Sequence, residues 1–357
     1  MKRIGIIGAG IRGRLFAEVV RASPHAMVAG VADPHVRPEW IGETPFYNDH
    51  TQLLRQSALD GVVVATPDYA HRDPVIAVAN AGLPMLVEKP FATTTQDSEA
   101  MAEAIVRNAV PVTVGFENRW NPHLVRIREA IDAGELGRPV WQQAELSNTQ
   151  YVPLEMLSWA GRSSPVWFLM PHTVDLVTWF ARSSVTSVRA VGSRGILRAQ
   201  GTDTWDAVQA LLTFENGSSA TLTSSWVLPA STPGMVEFTY AFNGATGAVR
   251  ADVIDQGLTV LADELRRQAP LGGPVGGQLV GAPVWMMQSF LDSLVRGAFG
   301  ASGLRTGMAV TATLVAVEES LNTGMTVVPS KLPGWLPDAV ATADDPGEAG
   351  ERSATAP

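Results

Sequence analysis

Three glycines near the amino terminus have the spacing of a dinucleotide-binding turn. Gly8, Gly10 and Gly13 form the pattern G-x-G-x-x-G between an apolar run, Arg3–Ile7, and a helical pattern. Glycines at these positions permit a tight turn and let the backbone approach a pyrophosphate, which the helix amino terminus attracts. Asp33 ends the next apolar run, 20 residues after Gly13. A carboxylate there binds the ribose 2′-hydroxyl and repels a 2′-phosphate, so the pattern predicts bound NAD.

Two alternatives stay open for this turn. Arg37 follows Asp33 closely and would partly compensate a 2′-phosphate, so NADP is less favoured rather than excluded. G-x-G-x-x-G on its own is a weak signal. It is also compatible with a glycine turn that binds no nucleotide, in which Asp33 is an ordinary strand-end residue.

Polar residues follow two further apolar runs. The segment Ala65–His71 comes after the run Gly61–Ala65, and Glu88-Lys89-Pro90 ends the run Met85–Glu88. Ligands of open α/β sheets bind outside the carboxyl ends of the strands. Lys89 is therefore a candidate proton donor or acceptor, because burial at such an edge lowers the pKa of a lysine. A plain β-turn and a solvated lysine are the alternative interpretations.

Regular alternation of strand and helix patterns predicts the elements that position these residues. The predicted strands are nearly continuous in apolar residues, which is typical of strands buried on both faces of a parallel sheet. They are Arg3–Ile7, Met27–Ala32, Gly61–Ala65, Met85–Glu88 and Pro111–Gly115. The helices between them are Ile11–Ala22, His71–Ala81 and Thr95–Asn108. Residues 1–118 are thus predicted to form a Rossmann NAD(P)-binding domain in an α/β protein.

The pattern changes after about residue 120 to strands that alternate between apolar and polar residues. We expect residues 119–331 to form an α+β domain for substrate binding and oligomerisation, with a mixed, largely antiparallel sheet. Its predicted strands are Val140–Ser147, Val185–Leu197, Ala207–Phe214 and Ser219–Trp226. Its predicted helices are Asn121–Ala133, Pro171–Ala181, Trp285–Gly297 and Thr306–Asn322. The run 270–281 is predicted to be a loop, and residues 332–357 a disordered acidic tail.

Composition excludes several classes of protein. The 357 residues carry a net charge of −9, which argues against a nucleic-acid partner, and they include no cysteine for disulfides or thiolate chemistry. No apolar run approaches the length of a membrane span, and no signal-peptide cleavage site follows the amino-terminal run, so we expect a cytoplasmic protein. The six histidines are scattered, and no metal is expected.

Several segments together resemble the glucose–fructose oxidoreductase / inositol dehydrogenase / MocA (GFO/IDH/MocA) family. The matching segments are GIIGAGIRG, ATPDYAH, EKP, VGFENRWNP, IDAGELG, PHTVDL and DAVQALLTFENGSSATL, within residues 2 to 330. The resemblance implies a Rossmann domain followed by a mixed-sheet domain, bound NAD or NADP, and oxidation or reduction at a carbon of a sugar, cyclitol or related polyol. It also implies a homodimer or homotetramer formed through the sheet.

The resemblance also implies roles for individual residues. Lys89 matches the catalytic lysine and His172 the histidine of a D-x-G-x-H-x-x-D segment. Asn118 and Arg119 fall where the family approaches substrate. The positions that match cofactor-binding residues are Gly8, Gly10, Ile11, Arg12 and Asp33, with Ala65, Thr66, His71, Glu88 and Lys89 at the nicotinamide end.

The D-x-G-x-H-x-x-D segment departs from the family pattern. Phe168 stands where the family has its first aspartate, and Met170 where it has glycine. In inositol-dehydrogenase-like members the Asp–His pair handles the hydroxyl proton. Asp175, three residues after His172, would lie on the same helical face and would orient the histidine. The alternative is structural, with Pro171 at the first helical position and Asp175 complementing the helix dipole.

Residues before this helix have the composition of a carbohydrate site. Trp159, Arg162 and Trp167 would offer aromatic faces to a sugar ring and a guanidinium to its hydroxyls, although core packing explains both tryptophans equally well. The leading hypothesis is an NAD-dependent oxidoreductase acting on a sugar, amino sugar or cyclitol. The alternatives are an NAD-recycling lyase or glycosidase of the same family, and a non-catalytic NAD-binding sensor or partner subunit.

Overall fold

The computed structural model describes residues 1–35, 37–254, 259–261, 265–267, 273–299 and 303–337. Its elements group into two compact units. The first comprises Met1–Trp120, Gly272–Thr311 and the described residues from Leu332; the second comprises Asn121–Leu271 and Ala312–Lys331. None of the helices within the described ranges is long and apolar enough to cross a membrane.

The first unit contains a six-stranded parallel sheet in the order β3-β2-β1-β4-β5-β6. Its strands are β1 (Lys2–Ile7), β2 (Ala26–Ala32), β3 (Phe46–Tyr47), β4 (Gly61–Val64), β5 (Met85–Val87) and β6 (Val112–Val114). The helices are α1 (Ile11–Ala22), α2 (His50–Gln56), α3 (Arg72–Asn80) and α4 (Thr95–Arg107). The strand order reverses between β1 and β4, so the turn after β1 lies where ligands of this fold bind. The predicted Rossmann architecture is confirmed.

The second unit contains a six-stranded sheet in the order β12-β11-β7-β10-β9-β8. Of the neighbouring strand pairs in this sheet, β10–β7 is parallel and the other four are antiparallel. The predicted mixed, largely antiparallel sheet is confirmed. The strands are β7 (Pro139–Thr149), β8 (Val185–Ser193), β9 (Ala207–Phe214), β10 (Ser219–Leu228), β11 (Val236–Gly244) and β12 (Ala248–Asp252). The helices are α5 (Pro122–Asp132), α6 (Pro165–Phe168), α7 (Met170–Ala181) and α8 (Ile196–Ala199).

Helix α7 packs on this sheet with nearly its whole surface buried. Gln142 of β7 donates to the Val177 carbonyl at 3.0 Å and accepts from the Tyr240 hydroxyl at 2.6 Å, which ties helix and sheet together inside an apolar layer. A strand predicted through Leu197 ends earlier, at Ser193. The backbone turns at Gly195, and Asp206 accepts hydrogen bonds from the first N–H groups of α8.

Carboxyl-terminal elements belong to both units. They are β13 (Thr259–Leu261), β14 (Leu265–Arg267), β15 (Gly273–Val275), β16 (Gln278–Val280), α9 (Ala282–Arg296) and α10 (Leu304–Thr323). The run predicted to be a loop contains the antiparallel β15–β16 pair. Helix α9 was expected within the second domain, but it packs in the first unit, because Met286 and Phe290 join Ile4 and Phe16 in one apolar core.

The predicted tail begins with described residues. Leu336 is buried, and Arg305 of α10 donates to the carbonyls of Leu336 and Pro337 at 3.2 and 3.1 Å. These contacts tie the chain to the first unit through Pro337, beyond the expected boundary at residue 332. The rest of the predicted tail, residues 338–357, lies outside the described residues.

Candidate active site

The glycine-rich turn between β1 and α1 is shaped by contacts that exclude side chains. Gly8 has a φ of +103°, and a Cβ there would lie 2.4 Å from the Ala65 carbonyl oxygen. A Cβ at Gly13 would lie 1.9 Å from the Gly8 oxygen. Gly10 differs, because no atom lies within 4 Å of a Cβ built on it. The backbone at Gly10 and the start of α1 is therefore open to a ligand, as a pyrophosphate requires.

Asp33, at the end of β2, is bound to this turn. Its Oδ2 accepts a hydrogen bond from the Ala9 amide at 2.8 Å, and its Oδ1 accepts from the His35 amide at 2.9 Å. The His35 ring lies 2.8 Å from the same Oδ1 atom. Asp33 thus holds the turn in place while its side chain stays 16% exposed, which leaves a carboxylate edge accessible to a ribose.

Arg37, close to Asp33 in the sequence, makes its contacts within its own loop. Its guanidinium donates to the carbonyl oxygens of Gly42 and Thr44 and lies 6.0 Å from the centre of the Phe46 ring. These contacts hold Arg37 within its own loop. They argue against the alternative in which Arg37 compensates a 2′-phosphate.

A buried histidine connects the two polar segments at the neighbouring strand ends. His71 is 1% exposed, with Nδ1 2.8 Å from the Pro90 carbonyl and Nε2 3.1 Å from the Thr66 carbonyl. The Lys89–Pro90 peptide bond is cis. His71, predicted to lie at the nicotinamide end, bridges two loops here, because both ring nitrogens face backbone carbonyls. Ala65 and Thr66 remain half-buried at the end of β4.

Charged side chains gather around the end of β5. Arg12, at the start of α1, pairs with Glu117 and lies 3.4 Å from Glu88, measured from Nε to Oε1. The Lys89 amide donates to Glu88 Oε2 at 3.1 Å. Arg12, predicted to bind the cofactor, is therefore engaged by two carboxylates, whereas its neighbour Ile11 is exposed.

Burial and neighbouring charges shift the pKa values in this cluster. Burial lowers the pKa of Lys89, and Arg12 lowers it further, against the opposing effect of Glu88, Glu117 and Asp68. Burial raises the pKa of Glu117, although the guanidinium of Arg12 opposes the shift. Burial disfavours the charged form of Arg12, but Glu117 and Glu88 outweigh it and raise the pKa of Arg12.

The residues that follow β6 complete this edge of the sheet. A short helical turn, Glu117–Trp120, carries the buried Asn118 and the half-buried Arg119, both predicted to approach substrate. Glu117 was missed by sequence reasoning. The available signal was its place directly after a parallel strand, where a carboxylate meets the groups that follow β1 and β5.

The second unit carries the other predicted residues on and before α7. His172 is half-buried and Asp175 is 1% exposed, and the two lie three residues apart on one helical face. The helix begins at Met170, with proline in its first turn as the structural alternative expects. Phe168, one turn before His172, packs between two tryptophans, with ring centres 6.1 Å from Trp159 and 5.8 Å from Trp226.

The remaining predicted sugar-binding residues have different surroundings. Trp167 hydrogen-bonds to Glu318, which also accepts from the Ser164 hydroxyl at 3.3 Å, so the indole N–H of Trp167 is used within the unit. Burial raises the pKa of Glu318 against these two hydrogen bonds. Arg162 is exposed on a short helical turn. Trp159 thus shares an aromatic cluster with Phe168, and Trp167 is engaged by Glu318.

Two models of one family match the chain in succession. Residues 2–116 match an oxidoreductase family with an NAD-binding Rossmann fold, and residues 124–250 match the GFO/IDH/MocA carboxyl-terminal domain. The chain belongs to the GFO/IDH/MocA oxidoreductase family. The resemblance drawn from the motifs is thereby confirmed. The open backbone at Gly10, the carboxylate of Asp33 and the start of α1 fit the NAD that this family binds.

Relatives of this GFO/IDH/MocA protein have named activities. The chain is 28% identical over 259 residues to the rhizopine catabolism protein MocA of Rhizobium meliloti, covering 70% of this chain and 78% of that protein. It is 27% identical over 236 residues to scyllo-inositol 2-dehydrogenase (NAD(+)) of Bacillus subtilis, covering 64% and 68%. Scyllo-inositol dehydrogenase of Lactobacillus casei, crystallised with NAD(H) and scyllo-inositol, has the same fold, with a TM-score of 0.79 at 19% identity over 92% of this chain and 99% of that one.

Proposed function

We propose that this protein is an NAD-dependent dehydrogenase or reductase acting on an alcohol or ketone carbon of a cyclitol, sugar or amino sugar. Lys89 carries the proposal: it follows β5 at the sheet edge that also holds the glycine turn, and burial lowers its pKa. Membership of an oxidoreductase family and relatives named as inositol dehydrogenases support the reaction and the substrate class.

Lys89 exchanges the proton in this proposal. In the oxidation direction its neutral amine takes the hydroxyl proton while the carbonyl forms, and in reduction its ammonium returns the proton. NAD, when bound, supplies the hydride acceptor for the same carbon. A lowered pKa enlarges the neutral fraction of Lys89 near neutral pH. His71 keeps the Lys89 turn in position through its contact with the Pro90 carbonyl.

His172 is the second proton-handling group that we propose, with Asp175 as its partner on the same helical face. Asn118, Arg119, Trp159 and Arg162 are proposed to bind substrate hydroxyls and ring faces.

A substrate panel tests the proposal. Sugars, sugar phosphates, amino sugars and cyclitols are assayed for NADH formation, with NAD and NADP in parallel, and the best substrate is taken to Lys89→Met. We expect net NADH formation with at least one polyol, and a kcat lower by roughly 10²–10⁴-fold in Lys89→Met with NAD affinity within a few-fold of the native value. Normal turnover in Lys89→Met would remove the lysine from the mechanism.

The same panel distinguishes the alternatives. Product formation without net NADH would indicate an NAD-recycling lyase or glycosidase. Tight NAD binding without turnover on any compound would indicate a sensor or a partner subunit. Mass spectrometry of the products and calorimetric titration of NAD separate these outcomes.

We also propose a homodimer or homotetramer formed through the second unit's sheet. On β9 and β10 buried residues alternate with exposed ones, and Leu211 is 45% exposed on the face opposite to the buried residues. An oligomer formed through this sheet would bury Leu211 and the exposed residues beside it. Light scattering after size-exclusion chromatography should give two or four chains, and Leu211→Glu should lower that number.

A further inference from the structure

Arg12, Glu88, Lys89 and Glu117 come from three separate positions along the chain. Arg12 is the second residue of α1, Glu88 and Lys89 follow β5, and Glu117 follows β6. The side chains of Arg12, Glu88 and Glu117 form an ion-pair cluster at the carboxyl edge of the parallel sheet, which we call the Arg12 cluster. Lys89 adjoins it, because its backbone amide donates to Glu88 Oε2 at 3.1 Å. Arg12 is the side chain that pairs with both carboxylates of the cluster.

The Arg12 cluster is well shielded from solvent. The side chain of Glu88 is 6% exposed, that of Glu117 is 15% exposed and that of Arg12 is 29% exposed. Charges in such surroundings interact more strongly than on an open surface, because water screens them less. An unpaired Glu88 or Glu117 would be costly there, and Arg12 compensates both.

Lys89 experiences every charge of the cluster. Glu88, Glu117 and Asp68 favour its ammonium form, whereas Arg12 and burial disfavour it. The ion pair between Arg12 and Glu117 therefore places one favourable and one unfavourable charge near Lys89. Neutralising Arg12 or Glu117 alone therefore changes the net electrostatic field at the Lys89 amine. Neutralising both removes one favourable and one unfavourable charge, so the two effects cancel.

We propose that Arg12 and Glu117 are positioning residues for proton transfer, whose ion pair sets the electrostatic field in which Lys89 exchanges its proton. Arg12 acts on Lys89 through this field. The inference rests on the proposed function for the role of Lys89 as proton carrier. It extends that function to Glu117, a residue outside the glycine turn and the Glu88-Lys89-Pro90 segment.

The composition of the chain allows a direct measurement. It contains three lysines, Lys2, Lys89 and Lys331, so lysine labelled with ¹³C at Cε gives three signals whose shifts follow pH. Lys89→Met assigns the signal of interest by its loss. This titration reports the field at Lys89 in the full chain without requiring turnover.

Two single variants should shift the Lys89 titration midpoint in opposite directions, and the double variant should restore it. Glu117→Gln keeps an acceptor for Arg12 but removes the negative charge, so the Lys89 titration midpoint should fall by on the order of one pH unit. Arg12→Gln removes the positive charge, so the midpoint should rise by a similar amount. The double variant Arg12→Gln/Glu117→Gln should return close to the native midpoint. The acid limb of the oxidation rate against pH should move in the same directions.

Arg14 and Glu18 provide a matched control on the same helix. They form an exposed ion pair at 2.9 Å, and Arg14→Gln and Glu18→Gln should leave the Lys89 midpoint unchanged. A midpoint that stays constant in Glu117→Gln, or that moves in the same direction in both single variants, would overturn the inference. If Arg12→Gln does not fold, Glu117→Gln alone tests the inference: a fall of the Lys89 midpoint supports it, and a rise contradicts it.

The outcomes separate the inference from the proposed function. Loss of turnover in Lys89→Met with an unmoved titration in the cluster variants contradicts the inference alone. Normal turnover in Lys89→Met contradicts the proposed role of the lysine, while the titration still measures the field that Arg12 and Glu117 create.

Discussion

Phe168 occupies the position where a carboxylate would precede His172 by one helical turn. A phenyl ring accepts no hydrogen bond from imidazole, so it neither selects a tautomer nor stabilises an imidazolium. The packing of Phe168 between Trp159 and Trp226 shows that the surroundings are built for an aromatic ring. We therefore expect proton transfer to depend more on Lys89 here than in a protein with a histidine–aspartate pair.

We predict that His172→Ala lowers kcat/KM less than Lys89→Met does, on the same best substrate near neutral pH. Without the preceding carboxylate, His172 is the weaker proton carrier. The measurement compares both variants with Asp175→Asn in steady-state assays. Equal, large losses at His172 and Asp175 would show instead that Asp175 replaces the missing carboxylate and forms a working pair with the histidine.

At the same scale, we predict that Asp33 determines the preference for NAD over NADP. Asp33→Ser should weaken NAD by about 1.5–3 kcal/mol, because a charge-assisted hydrogen bond to the ribose is lost, and it should improve NADP relative to NAD. Part of the loss arises from the Ala9 amide, which Asp33 holds. Calorimetric titration of both cofactors measures the change, with the exposed Asp73→Ser as control. A native protein that prefers NADP would contradict this role of Asp33.

At the scale of elements, the glycines of the turn between β1 and α1 have different surroundings. Gly8 and Gly13 lack side chains because neighbouring backbone occupies the space, whereas Gly10 faces open space. Parallel strands bring the turn, Thr66, Lys89 and Glu117 to one edge. Gly8 and Gly13 serve the packing of strand on helix, and we propose that Gly10 serves the ligand.

Two alanine variants test this division. Gly8→Ala should destabilise the protein by about 2 kcal/mol or more, because the φ of +103° and the Ala65 carbonyl both oppose a Cβ. Gly10→Ala should leave stability within about 1 kcal/mol and weaken NAD by roughly tenfold or more, because its methyl group occupies the approach to the pyrophosphate. Urea denaturation and NAD titration measure both quantities. Equal loss of stability in the two variants would contradict the assignment.

At the scale of the whole molecule, each compact unit draws on distant parts of the chain. The first unit completes its core with α9, whose Phe290 is buried beside Ile4 and Phe16. The second unit includes the end of α10, where the Ser320 hydroxyl binds the Ala190 amide at 2.8 Å. Neither unit is a continuous piece of sequence.

Phe290→Ala tests the contribution of α9. It should lower the free energy of unfolding by about 3–5 kcal/mol, because it leaves a large cavity in the parallel-sheet core. Val295→Ala, on the exposed side of the same helix, should change stability by about 0.5 kcal/mol or less. Denaturant unfolding of the full chain measures both. Similar values for the two variants would contradict a place for α9 in the core.

The sequence alone predicted the class of both sheets and the residues at the strand ends of the first, although it did not predict strands β3, β11 and β12. Apolar runs and glycine spacing are local signals, because neighbouring residues set the backbone conformation and the burial period. The positions of Gly8, Gly10, Asp33 and Lys89 follow from these signals once parallel strands share an edge.

Tertiary structure alone decided which side chains meet. The pairing of Arg12 with Glu117 joins residues 105 positions apart, and the bridge from His71 to Pro90 joins two loops. The aromatic surroundings of Phe168 and the inclusion of α9 in the first unit likewise depend on contacts between distant segments. No local pattern specifies such contacts, because a charge or an apolar face shows its own preference but not its partner.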